Sequence, residues 1–141
     1  TYFYRGRYGS PTAGNSAEAP RFPQMPVIDR FHMPQGGGWH FGTLTGDYNG
    51  IHLASWYARL LGFRAAFAHP QRVAGMCLAR LRGPESEAQT LHLWIKGPVF
   101  YGASVNLSAA TSTSGTVFGL SLDGDSRFAL MGQWQPVDGA Q

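Results

Sequence analysis

One cysteine, Cys77, stands in the 141 residues, so the chain can form no internal disulfide. It lacks any stretch long and apolar enough to cross a bilayer, and its N-terminus has neither the charged start nor the apolar run of a secretory signal. A soluble, cytoplasmic protein is expected. There is no His-Glu-x-x-His pattern, and His32, His40 and His92 lie far apart without cysteine partners, so no metal site and no cofactor are expected. No serine occupies a Gly-x-Ser-x-Gly turn, and Cys77 falls on the apolar face of a helical pattern, where a free cysteine is usually a small buried hydrophobe. A nucleophilic mechanism is left without its nucleophile. Charge is also scarce, at 13% of residues and a net +3. The aromatics follow core periodicity and do not interleave with the basic residues, which argues against nucleic-acid binding.

What is present suffices for one hydrophobic core, since 43% of the residues are hydrophobic and a chain of this length hardly fills two. Residues 1–38 differ from the rest. Thr1 to Arg5 is strand-like, and Gly9 to Pro34 is rich in Gly, Pro, Ser and Ala, which reads as linker. The expected organisation is a segment 1–38, a domain 39–137 and a short tail 138–141.

The most informative run is Thr45-Gly-Asp47-Tyr-Asn49-Gly-Ile-His52. Asp47 and His52 share one tight loop, where a carboxylate and an imidazole can hold a water and exchange its proton, as general acid/base chemistry requires. The same spacing also fits an Asp or Asn that caps the following helix. Leu53, Trp56, Tyr57, Leu60 and Leu61 then recur at helical spacing as one apolar face, and Gly62 suits the position just past a helix C-terminus. A second helical pattern begins near Pro70, which fits a first turn. In it Val73, Met76, Cys77 and Leu81 share a face, and Gly75 would let another backbone approach. Arg59, Arg64, Arg72, Arg80 and Arg82 fall in a stretch without an acid; they form either a phosphate-binding flank or a solvated helix face. Alternation marks strands at 39–44, at Leu91 to Ile95, at Val105 and Leu107, at Val117 to Leu122 and at Phe128 to Trp134. Ser114-Gly115 and Asp123-Gly124 supply hairpin turns, the latter of the primed type.

These motifs, taken in order, resemble the MaoC-like hotdog family of (R)-specific enoyl-CoA hydratases and 3-hydroxyacyl thioester dehydratases. The residues that carry the resemblance are Thr45, Gly46, Asp47, Asn49, Ile51, His52, Gly62, Phe63, Ala68 and His69, with Lys96-Gly97-Pro98-Val99-Phe100 further on. It spans about residues 39 to 135. The resemblance implies an α+β hotdog fold, an antiparallel sheet wrapped around a central helix, and a lyase of fatty-acid metabolism acting on an acyl-CoA or acyl-carrier-protein thioester. Asp47 and His52 would be the catalytic pair, with Asn49 holding the loop. His69, Pro70, Gln71, Phe63 and Phe67 would contact substrate, and Trp56 and Met76 are further lining candidates. Two positions depart from the motif: Gly50 replaces a proline, and Pro70 replaces the glycine whose N–H polarises the thioester carbonyl. Proline has no N–H, so the alternative reading is a weak or inactive thioester-binding or structural hotdog subunit. Pairing is expected, as a homodimer or with a second hotdog half. The strand-like start resembles the end of such a preceding half, so the chain is read as the C-terminal half of a double hotdog.

Overall fold

A computed structural model describes residues 24–81, 89–113 and 115–136. Strand β1 (Val27–His32) leads into helix α1 (Gly38–Thr45), a 3₁₀ turn (Gly50–His52), α2 (Ser55–Leu60) and α3 (Pro70–Leu78). Strands β2 (Gln89–Ile95), β3 (Ser104–Ser112), β4 (Gly115–Leu122) and β5 (Phe128–Pro136) follow. All strand pairs are antiparallel, in the order β1-β3-β4-β5-β2. The four downstream strands fall where alternation puts them.

The sheet packs on α3. Val73, Ala74 and Cys77 of that helix meet Val105, Leu107, Phe118, Leu120 and Leu130 of the strands in one core. Burying a side chain of this size stabilises by about 1.5–3 kcal/mol, which is what holds so short a helix in place. Phe118 lies directly opposite Gly132, and a Cβ at Gly132 would strike its ring. The glycine makes room for the largest fully buried side chain of the core. A smaller cluster, Ile51, Ala58 and Phe67, lies beneath the 3₁₀ turn and α2.

Several expectations are corrected. Residues 39–44 belong to α1 and not to a strand. The buried residues of α1 are Gly38 and Gly42, four positions apart. A Cβ at Gly38 would collide with the His52 carbonyl, and one at Gly42 would come within 3.0 Å of the Asp47 carbonyl. The packing face of this helix is bare backbone, which a pattern of apolar side chains does not register. The stretch read as linker contains β1, an edge strand paired with β3. Gly75 faces open space, with nothing within 4 Å of an added Cβ. The apolar face expected of α2 is largely outward, with Trp56 66% and Leu60 75% exposed. The turn after β4 is longer than a two-residue hairpin: the connection runs from 123 to 127, with Gly124 at φ 77°. The strand-like residues 1–5 and the tail 138–141 lie outside the described residues.

Gly62 behaves as the sequence implies. It takes φ 80°, its N–H donates to Arg59 O at 2.9 Å, and the Phe63 N–H donates to Ala58 O at 3.0 Å. This is a Schellman ending, and it turns the chain back so that Phe63 and Phe67 come together, rings 4.8 Å apart.

Candidate active site

The loop from Asp47 to His52 is held by its own side chains. Asp47 Oδ1 accepts from the Asn49 N–H at 3.1 Å, and Asn49 Oδ1 accepts from the Ile51 N–H at 3.3 Å. The capping role therefore falls to Asn49, at the start of the 3₁₀ turn, and Asp47 is not the helix cap. Asn49 is thus bonded into the loop through both its N–H and its side chain.

His52 is 1% exposed. Its Nδ1 lies 2.9 Å from the Phe67 carbonyl. A carbonyl can only accept, so Nδ1 carries the proton and Nε2 of the neutral ring keeps its lone pair. Burial holds the imidazole below its ordinary value, with the Phe67 contact opposing, a nearby His69 lowering and Asp47 raising it. His52 is thus a neutral base with a fixed tautomer.

His69 is fully buried. Its Nε2 donates to the Asp47 carbonyl at 3.0 Å, and its Nδ1 has no partner among the described residues. Its ring stacks on His52, centroids 4.1 Å apart at 31°, and meets Phe41 at 4.8 Å. His69, expected at the substrate, sits beneath the loop and lines neither of the cavities described below.

One ligand atom each from Asp47, His52 and His69 lies within 4.8 Å of the other two. Zinc needs lone pairs that converge at about 2 Å. His52 Nδ1 and His69 Nε2 are each engaged by a backbone carbonyl, so only the other nitrogen of each ring keeps a lone pair.

Two cavities open beside the loop. One of about 360 Å³ is lined by Phe41, Thr45, Gly46, Asp47, Asn49, Pro70 and Gln71. The other, about 720 Å³, is lined chiefly by apolar groups including Ile51, Phe63, Phe67, Val73, Val99 and Leu130, with Arg64 and Lys96 also on its wall. Asn49 and Pro70 line both, so the polar and apolar spaces adjoin. Of the expected acid–base pair only Asp47 is on a cavity wall; His52 lines neither cavity.

The remaining expected residues divide. Phe63 and Phe67 line the larger cavity, Gln71 the smaller and Pro70 both. Trp56 points to solvent, and Met76 packs against the core. The basic flank is mostly engaged elsewhere. Arg72 donates to Gly36 O at 2.7 Å, Arg80 pairs with Asp29 at 2.9 Å and stacks on Phe31, and Arg59 donates to Arg64 O. Among the described arginines of the flank only Arg64 lines the larger cavity, its guanidinium over the Phe100 ring at 4.3 Å; Arg82 lies outside the described residues. Tyr101 escaped sequence reasoning altogether: its hydroxyl donates to the His52 carbonyl at 2.9 Å. Nothing in the spacing of a Phe-Tyr-Gly run marks such a contact.

No protein-family model and no curated protein sequence matches the chain. Solved structures do. HtdX (Rv0241c) of Mycobacterium tuberculosis is similar at 23% identity and TM-score 0.69, over 86% of this chain and 50% of that one. The (R)-hydratase from A. caviae involved in PHA biosynthesis gives 19% identity and TM-score 0.59, over 84% of this chain and all of that one (100%). R-hydratase PhaJ1 from Pseudomonas aeruginosa gives 17% and 0.60, over 80% and 84%. The chain spans about half the length of HtdX. At these identities the likeness is one of fold, and the fold is the hotdog.

Proposed function

We propose that the chain is a MaoC-like hydratase/dehydratase that interconverts trans-2-enoyl and (R)-3-hydroxyacyl thioesters. The observation that carries this reading is the shared cavity: Asp47 faces the same space as the first turn of α3, through Pro70 and Gln71, and His52 backs Asp47 with a free Nε2. The free N–H groups of a helix start stabilise negative charge. Pro70 at the first helical position supplies none, so the Gln71 N–H is the donor left to polarise the thioester carbonyl.

In hydration, the water oxygen bonds to the β carbon and its proton passes to the Asp47–His52 pair, ending on the lone pair of Nε2. The electron pair of the double bond moves to the α carbon and the thioester oxygen, where the helix start receives the charge. A proton from the pair then closes the α carbon, and dehydration reverses each transfer. The acyl chain occupies the apolar cavity, and Arg64 and Lys96 on its wall suit the phosphates of a coenzyme A or acyl-carrier-protein thioester. The similarity of fold to structures described as (R)-hydratases supports the same reading.

Loss of a short trans-2-enoyl-CoA, followed by its conjugated absorbance, tests it. Asp47→Asn and His52→Gln are each expected to lower kcat by about 100-fold or more. No turnover by the wild-type chain at intact folding, with acyl-CoA still bound, favours the second reading, a thioester-binding subunit dulled by Pro70. Pro70→Gly restores an N–H and is expected to raise kcat, since one such donor is worth roughly 100- to 1000-fold elsewhere; an unchanged rate refutes the lost-donor argument.

A further inference from the structure

The two residues assigned to chemistry lie on one loop, and each has its backbone carbonyl fixed by a side chain from outside that loop. The Asp47 carbonyl receives the His69 Nε2–H at 3.0 Å, and the His52 carbonyl receives the Tyr101 hydroxyl at 2.9 Å. We propose that His69 and Tyr101 are positioning residues, a two-point clamp that sets the distance and aim of Asp47 and His52; the proposal rests on the hydratase reading above.

The clamp comes from distant parts of the chain. His69 immediately precedes α3, and Tyr101 sits in the connection between β2 and β3, so the loop is tied to the central helix and to the sheet connection at once. Space for the second contact exists because residue 38 is glycine: a Cβ there would meet both the His52 carbonyl and the Tyr101 hydroxyl. Burial raises the Tyr101 phenol above its ordinary value, so it remains a donor throughout the range in which His52 changes charge. The other nitrogen of His69, Nδ1, is buried without a partner among the described residues, so the Nε2 bond to the Asp47 carbonyl is the one that fixes this ring.

Clamps of this kind act on geometry more than on stability. Displacing a reacting group by about 1 Å can cost on the order of 100-fold in rate. Tyr101→Phe removes one oxygen and keeps the ring, so the variant is expected to fold. Its kcat toward a short trans-2-enoyl-CoA should fall roughly 10- to 100-fold while KM changes by less than about 2-fold, because misplaced groups lose the transition state and not the substrate. His69→Phe, which keeps the stack and loses the donor, should lose at least as much. His69→Gln, which returns an N–H donor, should recover part of the rate.

A second readout does not need turnover. The His52 imidazole, followed by NMR, should titrate at higher pH in Tyr101→Phe than in the wild-type chain, since a loosened loop admits water to the ring. Wild-type kcat together with an unshifted His52 titration in Tyr101→Phe would overturn the clamp. A wild-type chain without hydratase activity would instead fail the functional reading, and the His52 titration would still decide the clamp.

Discussion

Burial holds the His52 imidazole below its ordinary value of 6.5, and the sign of that shift fixes two pH dependences. The folded chain binds fewer protons at this site than the unfolded one between the lowered value and 6.5, so stability contributed here is present above about 6.5 and is lost as pH falls through the window. The base form also persists to lower pH than in free histidine, so the acid limb of kcat/KM is expected below 6.5; a limb at or above that value would contradict the assignment. His52→Gln should flatten the corresponding part of a stability-against-pH curve measured by denaturant unfolding. Cys77 supplies a control. Its thiol is fully buried and pushed up to about 12 by burial, so it should resist thiol reagents in the folded protein and react only in denaturant. Among single residues, Asp47, Asn49 and His52 were legible because an acid, an amide and an imidazole in one loop carry their chemistry in their types. Tyr101 was not, since its function lies in a contact 49 residues away in sequence.

Elements show the same division. The downstream strands were readable from alternation, because one face of each meets the core. Helix α1 was not, since its contact face is Gly38 and Gly42 and its apolar residues Trp39 and Leu44 point outward. Strand β1 was hidden inside a Pro-rich stretch because an edge strand needs only one partner and buries little; of its six residues only Asp29 and Phe31 are partly buried, and the other four are exposed. Two substitutions test the packing of these elements. Gly75→Ala should stabilise by about 0.5–1 kcal/mol, because the added methyl meets nothing; a lower melting temperature would mean that this face of α3 is covered in solution. Asn49→Ala removes the cap on the 3₁₀ turn and should destabilise by about 1 kcal/mol, with a larger loss in kcat than in stability if the loop aims Asp47.

At the scale of the whole molecule, the outward apolar groups on α1 and α2, with Trp39, Leu44, Trp56 and Leu60 each more than 60% exposed, are more than a lone hotdog needs. Edge strand β2 adds exposed Leu91, Leu93 and Ile95. Pairing with a second hotdog unit would cover such surfaces. Sedimentation should therefore show self-association that weakens in Trp56→Ser/Leu60→Ser; a monomer at all concentrations would contradict pairing between copies. Among the described residues no helix is long and apolar enough to cross a membrane. The central claim, that Asp47 and His52 pass a water proton across an enoyl thioester, is tested most directly by turnover in deuterated water. The account predicts an (R)-3-hydroxyacyl product with one carbon-bound deuterium at the α carbon, formed by the wild-type chain and about 100-fold or more slowly by Asp47→Asn. An (S) product, or the same rate of deuterium incorporation by both proteins, would contradict it.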